Sequence, residues 1–225
     1  MTTSTDEAEL SRADTDVPDR QETELIKHRY DRVAPFYDAM EWFAERFRFS
    51  KWRPDIWSAV EGNTVLEVGV GTGKNFAYYP DGLDYTALDI SPKMLQRARR
   101  RADELDIDVD LVEGDAQALP FADDSFESAV TTFVFCSVPD PVQGLSELRR
   151  VLKPGGQLVM LEHVISQKPL LRTLMTWFDF LPYRIWGAHI DRETVENTQI
   201  AGFEQVRDTN LFLDVVKRIE GRVPQ

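Results

Sequence analysis

Short apolar runs rich in β-branched residues alternate with helical patterns along the chain from Asn63 onward. This alternation favours a mostly parallel β-sheet with helices on both faces, because parallel neighbours need a crossover connection. Ser91-Pro92 predicts the start of one crossover helix, and Lys153-Pro154-Gly155-Gly156 ends another that begins near Pro141. The fold class is therefore α/β, with predicted strands at 64–68, 85–89, 108–112, 128–135, 157–162, 203–209 and 214–219.

The first predicted strand leads directly into a glycine-rich turn, Gly69-Val70-Gly71-Thr72-Gly73. Glycines between a strand and a helix allow a tight turn and let a ligand approach the backbone. A phosphate-binding P-loop is excluded, because Val68 stands where it needs glycine and Asn75 where it needs Ser or Thr. A dinucleotide fingerprint lacks its last glycine, which Lys74 replaces. Only the Gly-x-Gly-x-Gly pattern remains.

Two aspartates follow the second and third predicted strands. Asp89 ends the second strand, where a carboxylate accepts hydrogen bonds from ribose hydroxyls, although capping of the next helix is the alternative. Asp115 follows the third strand in Gly114-Asp115-Ala116, where it is placed to accept an adenine amino hydrogen. Together they predict a ligand that contains adenosine and lacks a pyrophosphate.

Four motifs resemble those of the class I S-adenosylmethionine-dependent methyltransferases, and they occur in the family's order. They are 65–73, 88–95, 114–121 and 147–156, and the resemblance covers about residues 30–206. It implies a Rossmann-like, seven-stranded, mostly parallel sheet with an antiparallel last strand, and S-adenosyl-L-methionine as cofactor. It further implies a set of cofactor-binding residues: Glu67, Gly69, Gly71, Gly73, Asp89, Ile90, Asp115, Ala116 and Thr132.

Two branches of this class are represented in the remaining motifs. The segment Val33–Asp38 is similar to the N-terminal motif of the ubiquinone/menaquinone biosynthesis methyltransferases. The segments 135–140, 161–164 and 187–194 are similar to phospholipid N-methyltransferases and thiol methyltransferase-like proteins. We therefore expect a small apolar or amphipathic acceptor, namely a lipid headgroup, a quinone precursor or a hydrophobic thiol, with the acceptor atom left open.

Few side chains are candidates for catalysis. Methyl transfer needs a general base only where the acceptor loses a proton. His163, after the fifth strand, is the first candidate and His189 the second, with a structural role as the alternative for each. Tyr37 is a further candidate, near the methionine end of the cofactor. Two other functions stay open: a binding module that keeps the cofactor without turnover, and an adenosine-handling oxidoreductase.

Aromatic residues concentrate in two segments outside the strand pattern. Residues 30–57 and 177–186 hold 14 of the 24 aromatic residues, including all five tryptophans. We expect one methyltransferase domain over 23–225, in which about 23–60 and 168–190 form a helical cover over the site. Packing on the flank of the sheet is the alternative. Residues 1–22 are acidic without an apolar run, and they are predicted to form a disordered tail.

Charge and cysteine content exclude several classes of protein. Lys plus Arg is 26 and Asp plus Glu is 39, and the net charge of −13 repels nucleic acid. One cysteine forms no internal disulfide, and three histidines without zinc-site spacing predict no metal. The longest uncharged stretch, 128–139, is too short to span a bilayer. We expect a cytoplasmic protein, with peripheral contact as the form of membrane association still compatible with the sequence.

The acidic, arginine-rich composition predicts a protein adapted to a high-salt cytoplasm. Arg outnumbers Lys 19 to 7, and residues 1–22 contribute only seven of the 39 acidic residues. We expect the melting temperature to rise between low and molar KCl, because a Debye length of about 3 Å at 1 M relieves self-repulsion. Scanning calorimetry at the two salt concentrations tests this. A melting temperature that stays constant or falls would contradict the adaptation.

Overall fold

The computed structural model describes residues 20–44, 50–178 and 192–225. Its helices are α1 (Arg20–Ala44), α2 (Ser50–Trp57), α3 (Pro92–Leu105), α4 (Pro141–Val151), α5 (Pro169–Phe178) and α6 (Thr194–Ile200), with a 3₁₀ turn at Phe76–Tyr78. Its strands are β1 (Thr64–Val68), β2 (Asp84–Asp89), β3 (Asp110–Glu113), β4 (Phe126–Thr132), β5 (Leu152–His163), β6 (Glu204–Phe212) and β7 (Val216–Arg222).

The strands form one seven-stranded sheet in the order β3-β2-β1-β4-β5-β7-β6. Strands β1 to β5 are parallel to one another, whereas β7 runs antiparallel to both β5 and β6. The predicted α/β fold with an antiparallel last strand is confirmed. The chain moves outward from β1 to β3 and then returns to β4 on the other side of β1. This reversal opens a crevice at the carboxyl ends of the strands, where ligands bind in such sheets.

The central strands are buried on both faces. In β1 and β5, Leu66, Leu158 and Met160 belong to the apolar cluster on one face, while Val65 and Val159 belong to the cluster on the other. Alternate side chains of a strand point to opposite faces, so both faces need an apolar partner. The helices supply that partner and leave the carboxyl edge open for a site.

Several predicted boundaries need correction. The acidic tail was extended too far, because α1 begins at Arg20; residues 1–19 lie outside the described part of the chain. Strand β4 ends at Thr132 instead of 135, because Phe133 has a positive φ of 58° and turns the chain. The helix cap predicted at Ser91 is confirmed, since its hydroxyl accepts from Met94 N at 3.1 Å.

None of the helices in the described ranges has the length and hydropathy needed to cross a membrane.

Candidate active site

A solvent-open cavity of about 710 Å³ lies at the carboxyl edge of the sheet. The ends of β1 and β2, the loops after β3 and β4, and helix α1 form its wall. Apolar side chains with a few polar groups line it, as is typical of small-molecule sites. The structure brings eight of the predicted site residues together in the wall: Tyr37, Gly69, Gly71, Asp89, Ile90, Asp115, Ala116 and Thr132.

The glycine turn after β1 is built for close approach. Gly69 N and Val70 N both donate to Leu88 O, at 2.7 and 3.0 Å, which fastens the turn to β2. A Cβ at Gly69 would lie 2.3 Å from a methyl group of Val134, so only glycine fits there. Gly71 has a φ of +55° and no atom within 4 Å of its Cβ position. Position 71 therefore leaves room for a ligand against the backbone.

Asp89 presents a buried carboxylate to this cavity. The residue is 8% exposed, and its two oxygens accept from Gly71 N at 2.8 Å and Ser91 N at 2.9 Å. Burial raises the pKa of Asp89 to about 6, because these two hydrogen bonds offset only part of the desolvation. Each carboxylate oxygen keeps a lone pair for a ligand hydroxyl. The alternative capping role is wrong, because Ser91 caps α3.

The second aspartate is held by a glutamine that our sequence analysis missed. Gln117 donates to the Asp115 carboxylate through its backbone N at 2.9 Å and its side-chain Nε2 at 3.1 and 3.2 Å. The same Nε2 donates to Thr23 Oγ1 of α1 at 3.2 Å, and Oε1 accepts from Asp140 N at 2.9 Å. Gln117 therefore ties the loop after β3 to both α1 and the start of α4.

Helix α1 forms the roof of the cavity. Thr23, Ile26 and Tyr30 line the cavity from this helix, together with Tyr37. Polar contacts fix α1 to the ends of three strands in turn: Lys27 to Glu113 at 2.6 Å, Asp31 to Ser91 at 2.6 Å, and Tyr30 to Ser137 at 2.6 Å. The N-terminal segment thus contributes to the site itself.

A buried polar cluster lies beneath the glycine turn. Both Glu67 oxygens are occupied, one by Asn75 Nδ2 at 2.5 Å and the other by the Tyr79 hydroxyl. Asn75 Oδ1 accepts from Arg53 of α2 at 2.5 Å. Burial raises the pKa of Glu67 to about 7, since the bonds from Tyr79 and Asn75 offset only part of the desolvation. Glu67 does not line the cavity, so its predicted contact with the cofactor gains no support from its position.

Thr132, at the end of β4, connects this cluster to the cavity wall. Its Oγ1 accepts from Asn75 Nδ2 at 2.9 Å and from Arg53 at 3.5 Å. Arginine only donates, so the Asn75 oxygen must face Arg53 and its amide nitrogen must face Thr132. Within the described residues no acceptor is recorded for the Thr132 hydroxyl hydrogen. Thr132 also lines the cavity, so its hydroxyl group is within reach of a ligand there.

Glu162, at the end of β5, fixes the loop that follows β4. One oxygen accepts from Thr131 Oγ1, Val134 N and Phe135 N at 3.1, 3.0 and 3.3 Å. Phe133, Val134 and Ser137 of this loop line the cavity. Burial raises the pKa of Glu162 to about 7. The Glu162 carboxylate thus fixes the position of the loop that forms one wall of the cavity.

The remaining predicted residues lie away from the cavity. His163 stacks on the Phe133 ring with centroids 4.6 Å apart, and burial lowers its pKa. Because Phe133 lines the cavity and His163 does not, this position does not support a direct role as general base. Gly73 also lies outside the wall. His189 falls outside the described residues.

The tryptophans of the expected cover whose side chains the structure describes, Trp52, Trp57 and Trp177, do not line the cavity; Trp186 and the Trp42 side chain lie outside the described part of the chain. Trp57 is fully buried in the core, and Trp52 packs against the same cluster, which matches the alternative of packing on the flank. Trp177 of α5 points into solvent and does not line the cavity. Residues 179–190 of the second predicted cover segment lie outside the described residues.

Comparison with known proteins shows which family this chain belongs to. Residues 66–160 match the family model described as "Methyltransferase domain". The chain is 40% identical over 157 residues to a demethylmenaquinone methyltransferase from Renibacterium salmoninarum, with coverage of 68% of this chain and 63% of the relative. A demethylmenaquinone methyltransferase from Clavibacter sepedonicus is 37% identical over 223 residues, with coverage of 88% and 90%. The chain belongs to the class I S-adenosylmethionine-dependent methyltransferases.

Structural similarity agrees with this family. An S-adenosylmethionine-dependent methyltransferase from Thermotoga maritima superposes with a TM-score of 0.68 at 23% identity, covering 87% of this chain and 99% of that one, which supports the fold alone. The first four relatives also include a phosphatidylethanolamine N-methyltransferase from Cereibacter sphaeroides and a thiol S-methyltransferase from Rattus norvegicus. In all four, the aligned region spans only 54–63% of the relative's length.

The cavity of this methyltransferase fits the family's cofactor. Asp89 offers free lone pairs for ribose hydroxyls, and the open space over Gly71 admits a ligand against the turn. Carboxylates at Asp89 and Asp115 disfavour phosphates and suit a ligand with a positive centre. Among the described residues, no group of three or more His, Cys, Asp and Glu side chains is arranged to hold a metal ion.

Sequence reasoning missed Arg53, Asn75, Gln117 and Tyr30. Asn75 lies two residues after the last glycine of the pattern, and its polar amide so close to the turn was an available signal. Arg53 and Tyr30 carried no such signal, because they reach the site only through tertiary contacts.

We expect cofactor binding to weaken as the pH falls through about 6. Protonation of Asp89 removes an acceptor for the ribose hydroxyls, so affinity is full above this pH and lost below it. Asp89→Asn should bind about 10- to 100-fold more weakly, matching about 1.5–3 kcal/mol for hydrogen bonds to a charged group. Calorimetric titration with S-adenosylmethionine from pH 5 to pH 8 measures both effects.

Glu67→Gln is the matched control, because Glu67 also has a raised pKa but lies outside the cavity wall. Its titration curve should keep the step near pH 6. Unchanged affinity in Asp89→Asn would remove Asp89 from the site.

Proposed function

We propose that this chain transfers the methyl group of S-adenosylmethionine to a ring carbon of a demethylated quinone in its reduced, quinol form. The bond between the methyl group and sulfur breaks to leave S-adenosylhomocysteine, and the methylated ring carbon releases its proton to the solvent at the open cavity. The similarity over nearly the full chain to a protein named demethylmenaquinone methyltransferase supports this acceptor. So does the motif at Val33–Asp38, which lies in the helix that roofs the cavity.

The Thr132 hydroxyl is the single observation that carries the choice of acceptor. Its lone pairs face Asn75 and Arg53, so its hydrogen is offered to an oxygen in the cavity. A quinol carries an oxygen on the carbon next to the one that is methylated. A lipid amine or a simple thiol has no oxygen beside the reacting atom. The donor therefore favours the quinol over the other two acceptors.

The opposite ends of the cavity have different roles. Asp89 and Asp115 follow β2 and β3, whereas Thr132 ends β4 on the far side of β1. Neighbouring strands are about 4.8 Å apart, so about 10 Å separates the two sides. We assign the β2–β3 side to adenosine and the β4 side to the acceptor, where Phe133, Val134 and Val138 give an apolar wall.

Catalysis here consists mainly of alignment and exclusion of water. When bound, S-adenosylmethionine supplies a methyl group carried on a positively charged sulfur. Asp89 and the glycine turn hold one reactant, the loop braced by Glu162 holds the other, and α1 covers both. Holding two reactants in a near-attack geometry contributes up to about 7–11 kcal/mol in ideal cases. We retain Tyr37 as a catalytic candidate near the methionine end of the cofactor, since it lines the cavity and Lys74 Nζ lies 5.1 Å from the centroid of its ring.

The test is an acceptor panel with the full chain and S-adenosylmethionine. The three acceptors are a short-chain demethylnaphthoquinol, phosphatidylethanolamine in mixed micelles, and an alkyl thiol. We expect methylated product, identified by mass spectrometry, from the quinol alone. Product from the amine or thiol instead would contradict the acceptor, and cofactor binding without any product would favour the non-catalytic binding module.

The same assay tests the hydroxyl donor. Thr132→Val should lower kcat/KM for the quinol about tenfold, matching the loss of one hydrogen bond worth about 1.5 kcal/mol. It should weaken cofactor binding less than this, because the Asn75 amide keeps its bonds to Glu67 and Arg53. Thr132→Ser keeps the hydroxyl and should retain most of the activity. If Thr132→Val weakens cofactor binding as much as acceptor use, the hydroxyl serves the cofactor and the argument for the quinol fails.

A further inference from the structure

The Gln117 side chain is enclosed between the cavity wall and helix α1. The residue is only 1% exposed, although its amide carries one acceptor and two donor hydrogens that need partners. Its Oε1 accepts from Asp140 N at 2.9 Å, so its Nε2 faces the Asp115 carboxylate and Thr23 Oγ1. The reversed amide would set its oxygen against the carboxylate and its NH₂ group against a backbone N–H. The hydrogen-bond network therefore fixes the amide in one orientation.

The two hydrogens of Gln117 Nε2 serve the cavity wall and the roof helix at the same time. One is shared by both oxygens of Asp115, at 3.1 and 3.2 Å, and Asp115 lines the cavity. The other goes to Oγ1 of Thr23, near the start of α1, at 3.2 Å. One side chain thus connects the Asp115 carboxylate to α1 without an intervening residue.

Helix α1 has little apolar burial to hold it in place. Over 21–37, where the structure describes its side chains, Ile26 and Ala34 alone are buried. The ion pair of Lys27 joins two solvent-accessible side chains, and such pairs contribute little to stability. Elements with few buried apolar contacts open at a low cost in free energy. The position of α1 therefore depends on its less exposed hydrogen bonds, among them the one from Gln117.

The later turns of α1 have separate polar contacts. The Tyr30 hydroxyl hydrogen-bonds Ser137 Oγ at 2.6 Å. One Asp31 oxygen accepts from Ser91 Oγ at 2.6 Å. Both contacts lie about two turns beyond the start of the helix. Loss of the Gln117 amide should therefore affect the first turns of α1 more than the later ones.

We propose that Gln117 is a positioning residue through which a ligand bound at Asp115 fixes the first turns of α1 over the cavity. The inference rests on our assignment of the β2–β3 side of the cavity to adenosine. The same amide orientation holds the Asp115 carboxylate and bonds Thr23, so a ligand that binds this carboxylate favours the docked helix. By linkage, the docked helix strengthens ligand binding by the same factor. Cofactor binding thus closes the roof from its adenine end.

Hydrogen exchange of the full chain, with and without saturating S-adenosylmethionine, tests this connection. In the unmodified chain we expect the cofactor to slow exchange of the α1 amides at 24–28 and at 30–34 at least about fivefold, the lower end of coupling between sites. Gln117→Met keeps a similar volume and loses the amide bonds. It should lose the slowing at 24–28 and retain it at 30–34, where Tyr30 and Asp31 keep their contacts. A purely structural role would speed exchange with and without cofactor and leave the slowing intact.

Thr23→Val removes the contact from the α1 end and leaves Gln117 on Asp115. The slowing at 24–28 should again be lost, and calorimetry should show cofactor binding weakened by the same factor, because coupling is reciprocal. Thr23→Ser keeps the hydroxyl and should restore both. If Gln117→Met does not fold, as judged by circular dichroism, the Thr23 pair decides the outcome.

Gln143→Met is the matched control. Gln143 is exposed on α4, and its Nε2 donates to the backbone oxygen of Gln117 at 3.2 Å. This change removes a hydrogen bond to the same residue and leaves the bonds to Asp115 and Thr23 in place. The control should keep the affinity and the slowing of the unmodified chain.

Three results would overturn the proposal. The first is cofactor binding to the unmodified chain without slower exchange at 24–28. The second is slowing that persists in Gln117→Met or Thr23→Val, which would indicate direct contact between cofactor and helix. The third is an equal loss in Gln143→Met, which would indicate general loosening of the loop after β3. Because no acceptor is present, each of these results leaves the proposed quinol untouched.

Discussion

The hydrogen bonds of the Asn75 side chain are the interaction on which the site depends. This one amide receives Arg53 from α2, and it donates both to Glu67 at the end of β1 and to Thr132 at the end of β4. It therefore fixes the glycine turn between the two strands where the sheet opens. Glu67 is fully buried, and a buried carboxylate that loses a partner costs about 3–5 kcal/mol. The conformation of the turn is thus coupled to the folding of α2 onto the sheet.

The three buried carboxylates near the cavity have two different roles. Asp89 lines the cavity, and its oxygens keep lone pairs that a ligand can use. Glu67 and Glu162 are buried away from the cavity, where they accept hydrogen bonds from the loops that form its wall. All three have raised pKa values because burial dominates, yet only Asp89 lines the cavity. Helix α1 then closes the space above by contacts to the ends of β2, β3 and the loop after β4. The loops held by the buried carboxylates and helix α1 together determine the shape of the cavity.

The sequence predicted most of the sheet and several strand-end residues that line the cavity, and both have a local cause. Strands such as Thr64–Val68 are short apolar runs, and Gly71, Asp89 and Asp115 sit at strand ends that must meet at one edge. The acceptor half was not predictable in this way. His163 ends β5 at the carboxyl edge of the sheet, but the Phe133 ring stacks on it and lines the cavity in its place. The positive φ of Phe133 produces this arrangement, and sequence periodicity does not reveal it. Arg53 and Tyr30 reach the site through contacts more than 20 residues apart in the chain.

The central claim is that the Asn75 amide preforms the cofactor site. Calorimetric titration of Asn75→Ala with S-adenosylmethionine tests it most directly, with Asn197→Ala on the remote helix α6 as the control. We expect at least tenfold weaker binding in Asn75→Ala, with a less favourable binding entropy because the loosened turn must be ordered by the ligand. It predicts unchanged binding in the control. A folded Asn75→Ala protein that binds S-adenosylmethionine with the original affinity and entropy would contradict the account.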